Sequence, residues 1–257
     1  MLAFEPIAAF TDNYLWLLHD GQRAVVVDPG DAAPVDAALV RLGLRLAAIL
    51  VTHHHPDHTG GVVELARHHG ATVHGPAGEA IDGVDVGHVE GDVIDLESLG
   101  RWRVLDTPGH TRGHIAYDCA EHGALLCGDT LFSAGCGRLF EGTPQQMLAS
   151  LDKLAALPAD RRVFCTHEYT LANLRFAAAA EPGNRARDDY RQWCEAERAA
   201  GRPTLPSTIG RELEVNPFLR CGQPDIGARL AERFGAAAAA DRLAVFTTLR
   251  AWKDRFG

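Results

Sequence analysis

Lysine is nearly absent from this chain. Only Lys153 and Lys253 are lysines, against 23 arginines. The imbalance reads first as a preference for arginine codons, and it makes each lysine worth tracing. Cysteine is present but unpatterned. Cys119, Cys127, Cys136, Cys165, Cys194 and Cys221 include no C-x-x-C pair. In a chain of 257 residues that argues against a disulfide framework and for a reducing compartment. No apolar run approaches the ~18–20 residues of a membrane span. Residues 1–18 lack a basic segment followed by an apolar run and a small-residue cleavage site, so no signal peptide is read and a cytoplasmic protein is expected. There is no internal repeat, no low-complexity linker, no P-loop and no G-x-G-x-x-G. Positive charge is also lacking. A net charge of -9, with no basic stretch interleaved with aromatics, argues against nucleic acid and against an anionic membrane as partners.

What is present is an ordinary globular composition, 46% hydrophobic and 23% charged, sufficient for a sizeable core. Up to about residue 168 strands and helices alternate. Ala24–Val27, Leu46–Val51, Ala71–His74, Trp102–Leu105, Ile115–Cys119, Leu125–Cys127 and Val163–Cys165 read as strands, and Gly60–His69 as a helix. Thr143-Pro144-Gln145-Gln146 predicts a capped helix start, with Thr143 as N-cap, Pro144 at the first position and Gln146 closing a capping box. From about residue 169 the pattern is helical: Tyr169–Ala180, Arg185–Ala200, and, after a proline-rich irregular stretch, Asp225–Phe234 and Asp241–Phe256. In the last, Leu243, Phe246, Leu249, Trp252 and Phe256 form one apolar face. The expected organisation is an α/β domain over residues 1–168 and a smaller all-α domain over 169–257.

The strongest chemical signal is Thr52-His53-His54-His55-Pro56-Asp57-His58, directly after an apolar strand. Imidazole and carboxylate are donors for Zn, Mn or Fe. His53 and His55 are two apart and can point the same way. Asp57 and His58 lie beyond a proline-set bend and can face a second ion. Three further residues stand where an apolar strand stops: His110 after Asp106-Thr107-Pro108-Gly109, Asp129 after Cys127-Gly128, and His167 after Phe164-Cys165-Thr166. Strand ends along one sheet edge are where an α/β fold gathers a site. His54 is expected to point away from the ions, and Asp28 to be either a turn residue or an acceptor for a ligand histidine. His114 is read as a loop-holding residue. His19, His68, His69, His74, His88 and His122 are read as surface or packing residues. Cys127 and Cys136 lack a Cys–His–carboxylate arrangement and are read as core.

These residues resemble the metallo-β-lactamase superfamily pattern H-x-H-x-D-H … H … D … H. The resemblance implies a four-layer αββα sandwich and two divalent ions, Zn before Fe or Mn. It implies His53, His55 and His110 on one ion, Asp57, His58 and His167 on the other, and Asp129 bridging both. Asp57 and Asp129 are then the catalytic carboxylates, and a water shared by the ions is the nucleophile. Beyond these, Thr11-Asp12-Asn13-Tyr14, Gly128-Asp129-Thr130-Leu131-Phe132, Ala134-Gly135-Cys136-Gly137-Arg138, Thr166-His167-Glu168-Tyr169-Thr170, Glu181-Pro182-Gly183-Asn184, Asn216-Pro217-Phe218-Leu219-Arg220 and Leu249-Arg250-Ala251-Trp252-Lys253-Asp254 resemble the glyoxalase II, or hydroxyacylglutathione hydrolase, family over nearly the whole length. That resemblance implies hydrolysis of S-D-lactoylglutathione to D-lactate and glutathione, by a monomer, with Arg138, Tyr169, Arg250 and Lys253 contacting glutathione. Arg250 and Lys253 are three apart on one expected helix, hence on one face. The chain departs at Phe140, where many members carry tyrosine, and Arg138 stands where some carry lysine. A persulfide dioxygenase using one iron and oxygen, or a lactonase or β-lactamase, are the alternatives on related folds. The helical tail with Arg250 and Lys253 argues against the dioxygenase.

Overall fold

The computed structural model describes residues 2–256. Its first sheet runs in the order β1 (Ala3–Ala9), β2 (Asn13–His19), β3 (Arg23–Val27), β4 (Arg45–Leu50), β5 (Thr72–Pro76) and β6 (Val86–His88). The first three strands pair antiparallel and the rest parallel. Parallel pairing needs crossovers. They are supplied by α1 (Ala32–Leu42) between β3 and β4, and by α2 (Pro56–Thr59) and α3 (Val62–His69) between β4 and β5. The second sheet comprises β7 (Val93–Asp95), β8 (Arg101–Asp106), β9 (Ile115–Cys119), β10 (Ala124–Gly128), β13 (Arg162–Cys165) and β14 (Ser207–Thr208), in the order β14-β13-β10-β9-β8-β7. A hairpin of β11 (Leu131–Phe132) and β12 (Gly135–Cys136) follows β10.

Alternation along the strands explains the layering. Trp16, Leu18, Val25, Val27, Ala48 and Leu50 face inward and pack with Trp102, Val104, Tyr117 and Leu125 of the second sheet. Their neighbours Leu15, Leu17, Val26, Ile49 and Val51 face outward, where Val35 and Leu39 of α1 and Val62 and Leu65 of α3 cover them. A sheet covered on both faces reads as continuous apolar runs, which is how these strands appear in the sequence.

The inner core continues through Met147, Leu151 and Leu154 of α4 (Pro144–Ala155). It then runs into the helices α5 (Thr170–Ala180), α7 (Ile209–Val215), α8 (Pro224–Phe234) and α9 (Arg242–Lys253), through Phe176, Ile209, Leu230, Phe246 and Trp252, while α6 (Arg185–Ala199) packs through Tyr190 and Cys194 in a separate cluster with Leu174 and Val215. The fold is thus an α/β sandwich with a C-terminal helical region. Both bonds of the Thr143–Gln146 capping box are formed. Strands β1, β2, β6 and β7, the β11–β12 hairpin and helix α1 lie outside the expected elements. The irregular proline-rich stretch contains α7, and the helical region lends the short edge strand β14 to the second sheet. Among the described residues no helix is long and apolar enough to cross a membrane.

Candidate metal centre and substrate cleft

Five strand ends meet at one edge of the sandwich. β3 ends at Asp28, β4 leads into His53–His58, β8 into His110, β10 into Asp129 and β13 into His167. The turn after β10 brings the two sheets unusually close. A Cβ on Gly128, at φ +47°, would lie 2.3 Å from Thr52 Oγ1 and 2.8 Å from His114 Nε2, so only glycine fits there.

The structure brings all seven residues of the expected ligand set together, in two groups. His55 Nδ1 is 3.0 Å from both His53 Nε2 and His110 Nε2. Asp57 Oδ2 is 3.5 Å from both His58 Nε2 and His167 Nε2. Asp129 lies between the groups: Oδ1 is 3.5 Å from His58 Nε2, and Oδ2 is 3.4 Å from both His110 Nε2 and His167 Nε2.

The protons on these rings can be assigned from the outer contacts. Thr52 Oγ1 donates to Asp28 Oδ2 at 2.8 Å, so its 3.0 Å contact with His53 Nδ1 is one it accepts. His110 Nδ1 donates to the Arg138 carbonyl at 2.9 Å, and His167 Nδ1 to Asp12 Oδ1 at 2.8 Å. His58 Nδ1 faces Asp28 Oδ2 at 3.1 Å. In His53, His110 and His167 the outer contact holds a proton on Nδ1, which leaves Nε2 facing the cluster, as a metal ligand requires. Both ring nitrogens of His58, and Asp129 Oδ1, are buried and have no hydrogen-bond partner among the described residues. Buried polar atoms are seldom left so unless another group satisfies them. A divalent cation fits this donor set.

Electrostatics point the same way. Burial lowers the His167 imidazole, but Asp129 and Asp12 outweigh burial and bring it up to about 9. Burial raises the Asp129 carboxyl, but His58, His167 and His110 outweigh it and hold it well below the usual carboxylate range. Burial pushes His53 well below its ordinary value, with His58 and His114 adding to it. The carboxylates thus favour positive charge at His167 and His58, while His53 stays neutral; a divalent cation would supply that charge in place of the protons.

Several positioning residues surround the cluster; the sequence reads His114 as holding a loop and assigns no role to Asn13 and Glu79. His114 is buried; the Asp129 N–H donates to its Nε2 at 3.1 Å, and its Nδ1 meets Thr107 Oγ1 at 2.9 Å. Asn13 Nδ2 donates to Asp57 Oδ2 at 3.1 Å. Glu79, with its side chain 3% exposed, accepts from the His54 N–H at 2.6 Å, from Gly113 N–H at 3.0 Å and from Thr111 Oγ1. It also meets His54 Nδ1 at 2.8 Å, so His54 turns away from the cluster toward Glu79 and Glu141. One carboxylate thus ties the His53–His58 loop to the His110–His114 loop. Glu79→Gln replaces an acceptor oxygen by an amide facing donors, and is expected to weaken metal retention by roughly 10- to 100-fold. Competition with a chromogenic chelator measures it, and retention equal to wild type would remove Glu79 from this role.

A cleft of about 530 Å³ opens from the cluster, lined by His110 and Asp129 at one end and by Arg138, Tyr169, Arg250 and Lys253 beyond. All four residues expected to contact glutathione therefore share one cavity with the metal cluster. They differ in setting. Tyr169 stacks parallel on His167, centroids 4.7 Å apart. Arg138 is exposed, 3.7 Å from Asp254. Arg250 is only 5% exposed, donating to the Cys136 carbonyl at 2.9 Å and to Asp254 at 2.9 Å. Lys253 is half-buried, its Nζ 5.5 Å from the Phe176 ring centroid. Burial, then Arg250 and Arg175, lowers its ammonium to about 8. Phe140 stands at the mouth, edge-on to His55 and His110. Cys127 and Cys136 are buried with thiols pushed up, as core cysteines are.

Comparison with known proteins divides the chain at this same place. The family described as "Metallo-beta-lactamase superfamily" matches residues 10–167, and the one described as "Hydroxyacylglutathione hydrolase C-terminus" matches residues 168–256. A hydroxyacylglutathione hydrolase of Cupriavidus taiwanensis is 56% identical over the full length of both chains. One from Albidiferax ferrireducens is 56% identical over 98% of each. Among solved structures, ETHE1 from Myxococcus xanthus superposes with TM-score 0.66 over 96% of this chain and 89% of its own, at 24% identity, a likeness of fold.

Proposed function

We propose, from the premise that this chain belongs to the hydroxyacylglutathione hydrolase family of the metallo-β-lactamase superfamily, that it hydrolyses S-D-lactoylglutathione and related 2-hydroxyacyl glutathione thioesters. The products are the 2-hydroxy acid and glutathione, the second step of methylglyoxal detoxification. The observation that carries this reading is the single cleft joining His110 and Asp129 to Arg138, Tyr169, Arg250 and Lys253.

In this reading His53, His55 and His110 hold one divalent ion, and Asp57, His58 and His167 a second. Asp129 lies between them. Zinc is the first choice, and iron or manganese suits the same donors. Bound there, the ions supply a water deprotonated near neutral pH and a Lewis acid for the thioester carbonyl. Asp57, steadied by Asn13, orients the attacking water through its carboxylate edge. Lys253 and Arg138 meet the carboxylates of glutathione, Arg250 shapes the wall behind them, and Tyr169 gives the peptide an aromatic face. The helical region from residue 169 is thus the glutathione-binding part. The leaving thiolate needs no strong general acid. The protein acts as a cytoplasmic monomer without nucleic-acid or membrane partners.

The test is loss of thioester absorbance on adding metal-replete protein to S-D-lactoylglutathione, with oxygen uptake recorded in parallel. Turnover abolished in His55→Ala and a raised KM in Lys253→Ala support the reading. Oxygen consumption without thioester loss would replace it by the dioxygenase.

The depressed Lys253 gives a pH dependence with a definite sign. Its ammonium is fully charged well below pH 8 and is lost as pH rises through about 8. In the free enzyme, kcat/KM therefore falls on the alkaline side of about pH 8, through KM. Lys253→Arg, which stays charged, is expected to move that limb to higher pH. An unchanged limb would assign it to another group.

A further inference from the structure

A second cluster of metal-ligating side chains lies outside the cleft, on the helices that cover the outer face of the first sheet. Asp36 on α1 points its two carboxylate oxygens at two different imidazoles of α3. Oδ1 is 2.6 Å from His69 Nε2 and Oδ2 is 3.4 Å from His68 Nδ1. We propose that Asp36, His68 and His69 form a separate site for a borderline divalent transition-metal ion such as zinc, nickel or copper(II), bracing α1 against α3.

Four observations support it. One ligand atom from each residue lies within 4.8 Å of the other two, so small side-chain adjustments bring all three to bonds of about 2.0–2.2 Å around one ion. Among the described residues, the ion-pair contacts of Asp36 are with these two histidines and with no lysine or arginine, so no side-chain cation of that kind competes for its carboxylate. His68 and His69 occupy the last turn of α3, ended by Gly70, where the unpaired carbonyl end of the helix favours a cation. Two imidazoles and one carboxylate leave positions for water and suit nitrogen-preferring divalent ions over calcium or magnesium. None of the three residues belongs to the central cluster, and the sequence alone assigns both histidines to surface or packing.

The site has a scaffold role. α1 starts just after the turn that carries Asp28, and α3 follows directly on the His53–His58 loop. An ion joining their bodies stabilises the layer from which the metal loop is hung, without touching the reacting groups. It does not rest on the thioesterase reading.

The test is nickel titrated into metal-replete protein by calorimetry, with thermal melting in parallel. The wild type is expected to show a saturable nickel site and a rise in Tm with added nickel. His68→Ala/His69→Ala and Asp36→Asn are expected to lose both, while thioester turnover and nickel-free Tm stay near wild type. Copper(II) added in place of nickel is expected to show nitrogen coupling from two imidazoles in its electron paramagnetic resonance spectrum, absent in the double variant. Nickel that enters the central cluster instead persists in the double variant. Equal titration in wild type and variant, or no saturable binding in either, reduces the contact to an ion pair and overturns the proposal.

Discussion

Asp129→Asn is expected to lower thioester hydrolysis by at least about 1000-fold, and to leave the purified protein deficient in metal. The substitution keeps size and shape. It also keeps the backbone N–H that His114 Nε2 accepts at 3.1 Å, so the fold around the loop should persist. What it removes is the negative charge between the two groups of ligands. Oδ1 faces His58 and Oδ2 faces His110 and His167 within 3.4–3.5 Å, each through Nε2. An amide there offers at best one acceptor and turns its N–H₂ toward a ring nitrogen. Metal per chain by atomic absorption, read beside turnover and the circular dichroism spectrum, separates loss of ions from loss of fold. A variant that keeps both its metal and more than a tenth of its activity would show that the centre does not depend on this carboxylate.

Gly137→Ala is expected to cost roughly 100-fold in kcat/KM, and about 3 kcal/mol in stability, although residue 137 carries no chemistry. A Cβ there would lie 1.9 Å from the Asp129 carbonyl oxygen and 3.2 Å from His110 Nδ1. The first contact is with backbone, which cannot rotate away. Relief must come from moving the β11–β12 hairpin or the Asp129 loop. The hairpin is restrained from the far side. Glu212, fully buried, accepts from the Ala134 N–H at 2.7 Å, Asn216 Nδ2 donates to the Gly135 carbonyl at 2.9 Å, and Arg250 donates to the Cys136 carbonyl at 2.9 Å. Displacement therefore falls on Asp129 and on the His110–Arg138 hydrogen bond. Thermal melting and kcat/KM measure the two consequences, and wild-type values for both would mean that the backbone yields at no cost.

The residues of the central cluster were legible because each announces itself locally. His53, His55, Asp57 and His58 sit in six consecutive positions. His110, Asp129 and His167 each stand where an apolar run stops. Strands β3, β4, β5, β8, β9, β10 and β13 were legible as apolar runs, as were the cap of α4 and the apolar face of α9, whereas β1, β2, β6, β7, β11, β12 and β14 were not. Elements without a local signal were missed. α7 is seven residues long and follows a proline-rich stretch, too short for a period to emerge. α1 follows Asp28-Pro29-Gly30 and carries Pro34 in its first turn, where proline is tolerated but reads as a breaker.

The outer contacts of the centre were not legible, because they join residues far apart along the chain. Asp12 meets His167 across 155 positions, and Glu79 reaches His54 and Gly113 across 25 and 34. Such bonds leave no spacing to read. The same limit applies to Arg250 and Lys253, which their spacing puts on one face of α9. Packing against the hairpin buries Arg250 and leaves Lys253 half-open, and it is burial that lowers the lysine ammonium. The sequence by itself determined the donors, their order and the alternation of strands that collects them at one edge, since ligand identity and hydrophobic periodicity are properties of neighbouring residues. Only the tertiary structure decided which ring nitrogen carries each proton, which carboxylate ties the ligand loops together, and that Asp36 faces His68 and His69 across two helices. Each of these depends on groups brought together through space, where burial and hydrogen-bond geometry act and chain order does not.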